Sequence, residues 1–474
     1  MKKFELSARV DSKKVFIIQS SQLEGRLDVD FYKPEILALE YKVRSKASGK
    51  LSKYIAKIAS GSTPSKTEEH KYYTTSELGI PFLRVQNLCV NGEISFTGLK
   101  YINEETHEGL LKRSQVSGGD LLVKITGVGR MAIASVAPEN FIANTNQHMV
   151  VIKPKNISSK YLAQYLNLDL VEKLASRRST GGTRPALDYP ALKSIPIIEN
   201  IDFSKLNDAY VEQKRILKEA NEKLVSIDKY LLDKLGVVGL NESVSTLNDR
   251  IFKMNKSKLQ SNRWDVSYYA DNYFDSLEKS KFPIVKLKNI ILENPIYGAS
   301  AEAVDFDSNN SVRYLRITDI DELGRLKSSN PKSVKDYSDR HKVFFNDIFF
   351  ARSGSVGKCY IHKLNNTKFI FAGYLIKFKI DPNICLPDYL FYYAYSSIYL
   401  KWVEKIQRPG VQANINATEY KDLPIILPSI DVQQEIVDYI SKVRDEAKTL
   451  EDEANLVLEN AKQEIEKMIL GETV

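Results

Sequence analysis

Cysteine and histidine are scarce in this chain of 474 residues. The three cysteines, Cys89, Cys359 and Cys385, are isolated from one another, and none belongs to a Cys-x-x-Cys pair. The five histidines are equally scattered, without a His-x-x-x-His spacing. A disulfide framework or a zinc site requires closer spacing of such residues. We therefore expect a protein without structural metal or disulfide bonds.

Long apolar runs and strong net charge are also missing. No stretch of 18 apolar residues exists, so no transmembrane helix is expected. The opening residues, MKKFELSARVDSKK, are charged but lack the apolar core and cleavage site of a secretory signal. The expectation is a cytoplasmic protein that does not contact a membrane. A formal charge of +8 permits a polyanionic partner without identifying one.

The chain contains an internal repeat, which is the most informative feature of the sequence. Four segments recur in the same order about 230 positions later, with drifting offsets that loop deletions would produce. The segment pairs are GRLDVDFY (Gly25–Tyr32) with NRWDVSYY (Asn262–Tyr269), IPFLRVQNLCVNGEI (Ile80–Ile94) with VRYLRITDIDELGRL (Val312–Leu326), GGDLLVKITGVGR (Gly118–Arg130) with FNDIFFARSGSVGK (Phe345–Lys358), and YPALKSIPII (Tyr189–Ile198) with ATEYKDLPII (Ala417–Ile426).

Each copy has the same predicted order of secondary structure. Short β-branched runs alternate with Gly, Asn and Asp, which is typical of strands and turns. A helical stretch follows, Ser158–Ser176 in the first copy and Pro387–Ile406 in the second, and then a loop and a strand. We predict a mixed α/β globule of about 150 residues, used twice.

A long polar segment with apolar residues at spacings of three and four follows each globule, which favours a coiled coil. An alternative is that each helix packs only on its own globule. Asp202 and Asp431 are the predicted N-caps, and Gly236 and Gly471 the predicted stops. The predicted seams are Leu206, Tyr210, Gln213, Leu217, Ala220, Leu224, Ile227 and Leu231, and Ile436, Ile440, Val443, Ala447, Leu450, Ala454, Val457 and Ala461.

The stretch NPIYGAS, Asn294 to Ser300, resembles the Asn-Pro-Pro-Tyr motif of DNA adenine methyltransferases. Alignment of the repeats places NPIYG against IASGS of the first copy, within one residue, and the first copy has no such motif. The sequence also lacks a Phe-x-Gly-x-Gly loop for S-adenosylmethionine. We therefore interpret NPIY as the turn before a strand.

Basic and amide residues cluster in the loops where the two copies differ most. Arginine suits guanine, and asparagine or glutamine suits adenine, in bidentate geometry, so these loops favour nucleic-acid binding. A solvated surface charge is the alternative for any single residue. The candidate DNA-binding residues are Lys71, Tyr72, Tyr73, Lys124, Arg130, Arg177, Arg178, Arg184, Arg352, Lys358, Arg408, Gln412, Asn414 and Asn416.

These features together resemble the specificity subunit of a type I restriction–modification system, over essentially the full chain. The matching features are the Arg-Leu-Asp-x-x-Phe-Tyr opening (Arg26 to Tyr32), the Leu83-Arg84 segment, the Gly119–Leu122 element and a long helix after each domain. The second copy departs at Trp264, at Asn346 and over 411–417.

The resemblance implies an α/β (mixed α+β) protein with two pseudo-repeated target-recognition domains separated by two long antiparallel coiled-coil helices. The implied boundaries are 1–200 and 237–428 for the domains, and 201–236 and 429–474 for the helices. It also implies a non-catalytic chain that binds a bipartite, asymmetric double-stranded DNA target. The implied partners are adenine methyltransferase (modification) subunits and motor–nuclease restriction subunits, which would carry S-adenosylmethionine, ATP and Mg²⁺.

Three other interpretations remain open. A methyltransferase with a fused recognition region would need catalytic motifs that this sequence does not contain. A scaffold whose two globules bind other proteins would have the same architecture, and base-reading residue types in the loops argue against it. A stand-alone or phage-borne relative that captures the partner subunits without restriction is distinguishable only by its neighbouring genes.

Overall fold

The computed structural model describes residues 10–11, 15–24, 26–240, 268, 273–307, 312–365, 368–407 and 413–472. The chain divides into a first unit, Met1–Arg215 with Glu453–Val474, and a second unit, Ile216–Asp452. Within the described ranges, every helix is too short or too polar to cross a bilayer.

The first unit is built from short strands and helices, followed by one long helix. Its helices are α1 (Pro34–Lys46), α2 (Glu69–Tyr72), α3 (Glu104–Glu108), α4 (Ser159–Leu166), α5 (Asp169–Arg178), α6 (Tyr189–Lys193) and the start of α7 (Ser204–Leu235). Its strands are β1 (Gly49–Lys50), β2 (Ile55–Ser60), β3 (Tyr73–Thr74), β4 (Ile80–Leu83), β5 (Lys100–Ile102), β6 (Gln115–Val116), β7 (Leu121–Lys124), β8 (Ala134–Val136), β9 (Ala143–Thr145), β10 (Met149–Pro154) and β11 (Pro196–Ile197).

Two sheets organise the first unit. An antiparallel sheet has the order β2-β10-β7-β8, and a second sheet has the order β3-β5-β4-β9-β6, in which β4 and β9 are parallel. Alternate residues of β7 point to opposite faces, as strand geometry requires. Leu121 and Val123 join one core cluster with α4 and α5, while Leu122 joins a second cluster. The central strand is therefore buried on both faces.

The second unit has the same kinds of elements. Its helices are the end of α7, α8 (Tyr273–Glu278), α9 (Pro387–Tyr393), α10 (Ser397–Ile406), α11 (Ala417–Lys421) and most of α12 (Ile430–Leu470). Its strands are β12 (Ile284–Lys286), β13 (Ile296–Tyr297), β14 (Val304–Asp305), β15 (Arg313–Leu315), β16 (Lys332–Ser333), β17 (Ile348–Ala351), β18 (Cys359–Ile361), β19 (Phe369–Phe371), β20 (Leu375–Phe378) and β21 (Pro424–Ile426).

The strand order repeats between the units. The sheet β13-β20-β17-β18 has the order of β2-β10-β7-β8, and the parallel pair β15/β19 matches β4/β9. The antiparallel pair β12/β21 likewise matches β1/β11. The predicted duplication of one mixed α/β globule is confirmed.

Each predicted helical stretch is two helices in the structure. In the first unit the break follows Leu166, where the Asn167 side chain accepts a hydrogen bond from the Ala134 N–H at 3.0 Å and donates one to its carbonyl at 2.7 Å. In the second unit Ser396 caps α10 by accepting from the Tyr399 N–H at 3.3 Å. Side chains that satisfy backbone groups explain both interruptions.

The two long helices pair antiparallel. In the first unit the Lys205 ammonium on α7 pairs with the Glu464 carboxylate on α12. In the second unit Lys223 pairs with Glu446 at 2.8 Å. The rings of Tyr230 and Tyr439 stack there with centroids 3.7 Å apart. In all three pairs the two residue numbers add up to the same value. The pairing register of α7 and α12 is therefore the same at each of these contacts.

Several details of the predicted helices need correction. Leu217, predicted in the seam, is 39% exposed, and Ile216, which is 1% exposed, takes its place one position earlier. Asp431 lies in the first turn of α12 rather than at its N-cap, since that helix begins at Ile430. Gly236 and Gly471 end the helices as predicted, with φ of 74° and 71°.

Candidate nucleic-acid interface

In each unit, several loops extend from the edge of the four-stranded sheet that is formed by the ends of its strands. In the first unit β2 and β7 end at this edge while β8 and β10 begin there, because neighbouring strands are antiparallel. After β2 the chain passes so close to residues 145–146 that a β-carbon on Gly61 would overlap the backbone carbonyl oxygens of Thr145 and Asn146. Segments that are distant in the sequence therefore lie close together at this edge of the sheet.

Two of these loops are joined to each other in the first unit. Residues 125–130 and 179–187, which we call the first loop pair, form a β-bridge between Thr126 and Ala186. The Gly127 N–H donates to the Pro185 carbonyl at 3.0 Å. The segment 179–187 is itself a hairpin, with exposed Gly181, Gly182 and Arg184 at its tip.

The same connection exists in the second unit. Ser353 forms a β-bridge with Asn414, and the Ile415 N–H donates to the Arg352 carbonyl at 2.9 Å. Residues 352–358 and 413–416 are called the second loop pair. The predicted contacts Arg408 and Gln412 lie outside the described residues. Both units therefore hold two loops together at the equivalent place.

Arg184 is the residue of the first loop pair best placed for a polyanion. It is exposed, whereas the Arg130 guanidinium is bound to the Asp169 carboxylate and the Asn167 carbonyl. Lys124 is only 4% exposed and its ammonium donates to the Val128 carbonyl at 2.8 Å. Burial lowers the pKa of Lys124. Lys124 and Arg130 therefore support the loop rather than present charge to solvent.

Arg177 and Arg178 are buried and cannot reach DNA in this structure. They are 7% and 6% exposed, and both guanidinium groups pair with the carboxylate of Glu40. Burial lowers the pKa of Arg178 to about 10. Both arginines were predicted to lie in a loop, but α5 continues to Arg178, and both side chains are buried.

The opening segment, Arg26 to Tyr32, packs against these same arginines. The Arg177 guanidinium lies 3.8 Å from the centroid of the Phe31 ring, and Arg26 lies over the same ring at 4.6 Å. Arg26 also binds the Asp28 carboxylate at 2.7 Å, and that hydrogen bond lowers the pKa of Asp28. The second copy repeats the arrangement, with the Lys405 ammonium 5.6 Å from the Tyr268 ring centroid. Arg263 and Asp265 lie outside the described residues.

The second loop pair exposes the amide side chains of Asn414 and Asn416, and its two basic residues each contact another side chain. Asn414 is exposed, and the Arg352 guanidinium lies over the Tyr297 ring at 5.0 Å. Asn416 has a structural task, since its side-chain oxygen accepts from the Thr418 and Glu419 N–H groups and caps α11. The Lys358 ammonium pairs with Glu322 at 2.8 Å.

The predicted contacts Lys71, Tyr72 and Tyr73 lie elsewhere, on α2 and on β3 at the outside of the five-stranded sheet. Lys71 is exposed and its ammonium is 5.6 Å from the centroid of the Tyr72 ring. Tyr73 is half-buried and packs edge-on against Phe82. The structure does not bring these residues into the first loop pair.

Two residues at the sheet edges escaped the sequence analysis. Tyr374, directly before β20, is 66% exposed, and its carbonyl accepts from the Arg352 N–H at 2.9 Å. Val128 is 76% exposed between two glycines of the first loop pair. The alignment of the repeats was the available signal for Tyr374, because His148 takes the equivalent position in the first unit. The His148 carbonyl likewise accepts a hydrogen bond, from the Ile125 N–H at 2.9 Å.

The NPIY stretch has a structural explanation. Ile296 and Tyr297 form β13, and the next residue, Gly298, lies where a β-carbon would overlap the carbonyl oxygens of Phe371 and Ala372. Gly298 is thus the counterpart of Gly61. The Asn294 side chain accepts a hydrogen bond from the Lys421 ammonium at 2.8 Å. Asn294 and Pro295 precede the strand as predicted, but Ile296 and Tyr297 form the strand itself, so the prediction of a turn is correct only for the first half of the stretch.

The family model described as "Type I restriction modification DNA specificity domain" matches residues 51–199 and 280–460. The chain belongs to this family. Each matched region begins after the opening segment of one copy of the repeat. The first region lies within the first unit, and the second lies in the second unit and extends eight residues beyond it, to residue 460. The chain therefore serves DNA-sequence specificity in a type I restriction–modification system, a recognition role and not a catalytic one.

Individual relatives are distant in sequence. The chain is 21% identical, over 397 residues, to the type I restriction enzyme StySPI specificity subunit of Salmonella potsdam, covering 80% of this chain and 78% of that protein. A crystal structure of the S subunit from M. genitalium is 11% identical, with a TM-score of 0.37, and covers 90% of this chain and 96% of that one. The HsdS subunit from Thermoanaerobacter tengcongensis is 12% identical, with a TM-score of 0.33, over 89% and 94%.

Proposed function

We propose that the chain binds a bipartite, asymmetric target in double-stranded DNA, with one half contacted by each loop pair. The observation that carries this proposal is the repeated β-bridge, Thr126 with Ala186 and Ser353 with Asn414. The β-bridge between the two loops is present in both units, while the length of the turn and the side chains on the loops differ. Equivalent scaffolds with different reading groups suit a target whose halves are unlike.

Within each half, base and phosphate contacts have different candidates. Arg184 and Arg352 suit guanine or phosphate, and Asn414 suits adenine. The stack of Arg352 on Tyr297 supports this role, because an aromatic ring beneath a guanidinium restricts its orientation. Lys71 is a candidate for a phosphate contact outside the loop pairs. Arg408 and Gln412 remain candidates from the sequence.

The partners belong to the same proposal. Modification subunits that methylate adenine would bind the chain and carry S-adenosylmethionine, and motor–nuclease restriction subunits would join them and use ATP and Mg²⁺. No cofactor is assigned to this chain. The support is membership in a family of type I specificity domains. Since the target is the DNA of the cell, the cytoplasm is the proposed location.

Selection from a random duplex pool tests the bipartite target. The full chain would be purified with its modification subunit, and bound duplexes would be sequenced at moderate salt. Recovery of a gapped motif with two unlike halves is the expected result. An ungapped motif, or no motif from an intact assembly, contradicts the proposal, and the second outcome favours a protein-binding scaffold.

Exchange of one domain then assigns the halves. Replacing residues 60–190 with those of a homologue of different specificity should change one half of the motif and leave the other intact. The matched exchange in the second unit, residues 297–416, should change the opposite half. A change in both halves after either exchange would show that the loop pairs do not act independently.

A further inference from the structure

Val128 is an apolar side chain held out into solvent at the sheet edge of the first unit. It is the one residue between Gly127, with φ of 120°, and Gly129, with φ of 81°. Its exposed fraction is 76%. Single exposed apolar residues are common on protein surfaces, so exposure by itself indicates no function. The hydrogen bonds that hold the backbone of Val128 provide a second observation.

The backbone of Val128 is fixed by a buried ammonium group. Lys124 is 4% exposed and donates to the Val128 carbonyl at 2.8 Å. Taking an ammonium out of water is costly unless it is well hydrogen-bonded. The neighbouring Gly127 N–H is bound to the Pro185 carbonyl at 3.0 Å, which ties this turn to the hairpin that carries Arg184. Two hydrogen bonds therefore hold the backbone of the turn, while the isopropyl group of Val128 remains exposed.

The equivalent turn of the second unit differs in length and in the orientation of its valine. One extra residue lies between Gly354 and Gly357, where Ser355 is exposed and Val356 packs against the core of that unit. Ala351, which ends β17, occupies the position of Lys124. The valine of the turn is thus turned inward in the second unit and outward in the first. A hydroxyl group is presented at one site and an isopropyl group at the other.

The chemistry of Val128 fits one feature of a DNA duplex. In the major groove only thymine presents a methyl group, and apolar side chains recognise it by contact. Resting on the proposed function, we infer that Val128 is a specificity-determining residue that contacts a thymine methyl group in the half-site bound by the first unit. Arg184, on the hairpin tied to the same turn, supplies the adjacent polar contact.

Removal of the methyl group from DNA tests this inference. In the target obtained by selection, each thymine of the half-site assigned to the first unit would be replaced singly by deoxyuridine, which keeps every hydrogen-bonding group. Competition binding would be measured for the full chain with its modification subunit. The variants are Val128→Ala and Val128→Ser, and Val238→Ala, at a valine that is 64% exposed outside the loop pairs, is the matched control.

The natural chain and Val238→Ala should bind one of the deoxyuridine duplexes about fourfold more weakly, the effect of about one buried methyl-sized group. Val128→Ala and Val128→Ser should bind that duplex and the thymine duplex equally. Three results overturn the inference: a half-site without thymine, no discrimination by the natural chain, or full discrimination by the variants. Each differs from failure of the proposed function, in which selection yields no gapped motif.

Discussion

Three arginines within eight positions of one segment have opposite environments. Arg177 and Arg178 are buried against Glu40, whereas Arg184 is exposed on the hairpin of the first loop pair. The difference arises because α5 ends between them, at Arg178. Arg177 and Arg178 hold the opening segment of the chain to α5, whereas Arg184 is accessible to a ligand. Residue type alone does not separate these roles.

Replacement of Glu40 by glutamine should destabilise the first unit strongly. The change keeps the shape of the side chain but removes the carboxylate charge with which two buried guanidinium groups pair. Removing one partner of a buried ion pair costs about 3–5 kcal/mol in free energy of unfolding. Urea denaturation of the full chain, monitored by circular dichroism, measures the loss in free energy of unfolding.

Arg184→Ala is the control for that experiment. Its free energy of unfolding should stay within about 0.5 kcal/mol of the natural value, as for most surface substitutions. Its DNA binding should weaken, and more than that of Arg113→Ala, which removes the same charge from an exposed site away from the loop pairs. If Glu40→Gln unfolds like the natural chain, the buried cluster does not have the structural role assigned to it.

Some features of the fold are encoded locally or in the repeat, and others depend on residues that are far apart in the sequence. The alignment of the repeats predicted the duplicated globule and the exposed position of Arg184's loop. The burial of Arg177 depends on Glu40, which is far away in the sequence, on α1. No local sequence pattern predicts the contact between Glu40 and Arg177. The role of Gly298, by contrast, was accessible, since the alignment placed it within one residue of Gly61.

At the scale of elements, the paired helices show how small residues determine a seam. The predicted spacing located most of the seam, yet it chose Leu217 where the structure buries Ile216. Both residues are apolar and adjacent, so periodicity could not choose between them. The alanines of α12 are more informative, because a small side chain at a fully buried position leaves no room for a larger one.

Ala454→Leu should therefore destabilise the protein. Ala454 has no exposed surface, and forcing three additional carbons into a packed position costs about 1–3 kcal/mol. The same substitution at the exposed Ala38 of α1 is the matched control and should change the free energy of unfolding little. Equal effects at the two sites would mean that the seam around Ala454 is loosely packed. Thermal and urea denaturation provide the comparison.

At the scale of the whole molecule, the two units repeat one sheet order and one loop connection but differ in the groups that they present. The turn with Val128 in the first unit has Ser355 and Val356 in the second. The bridge that joins the loops is kept in both. Duplication thus conserves the scaffold while each loop pair varies separately, which is what two independent half-sites require.

We expect the long helices to set the gap between the half-sites of the proposed target, so that helix length should control the length of the gap. Inserting one heptad into α7 between Ile216 and Leu217, and one into α12 between Asp452 and Glu453, keeps the antiparallel register that Lys205–Glu464 and Lys223–Glu446 define. A heptad also preserves the phase of the seam. Seven residues add about 10 Å at 1.5 Å per residue.

That length corresponds to about three base pairs at roughly 3.4 Å each. Selection with the doubly extended chain should therefore return the same two half-sites with a gap that is longer by up to about three base pairs. Insertion into α7 alone is the control, because it leaves seven residues without their partners on α12 and should weaken binding instead of lengthening the gap. An unchanged gap in the doubly extended chain would mean that the helices do not measure the distance, and that the half-sites are positioned by the partner subunits.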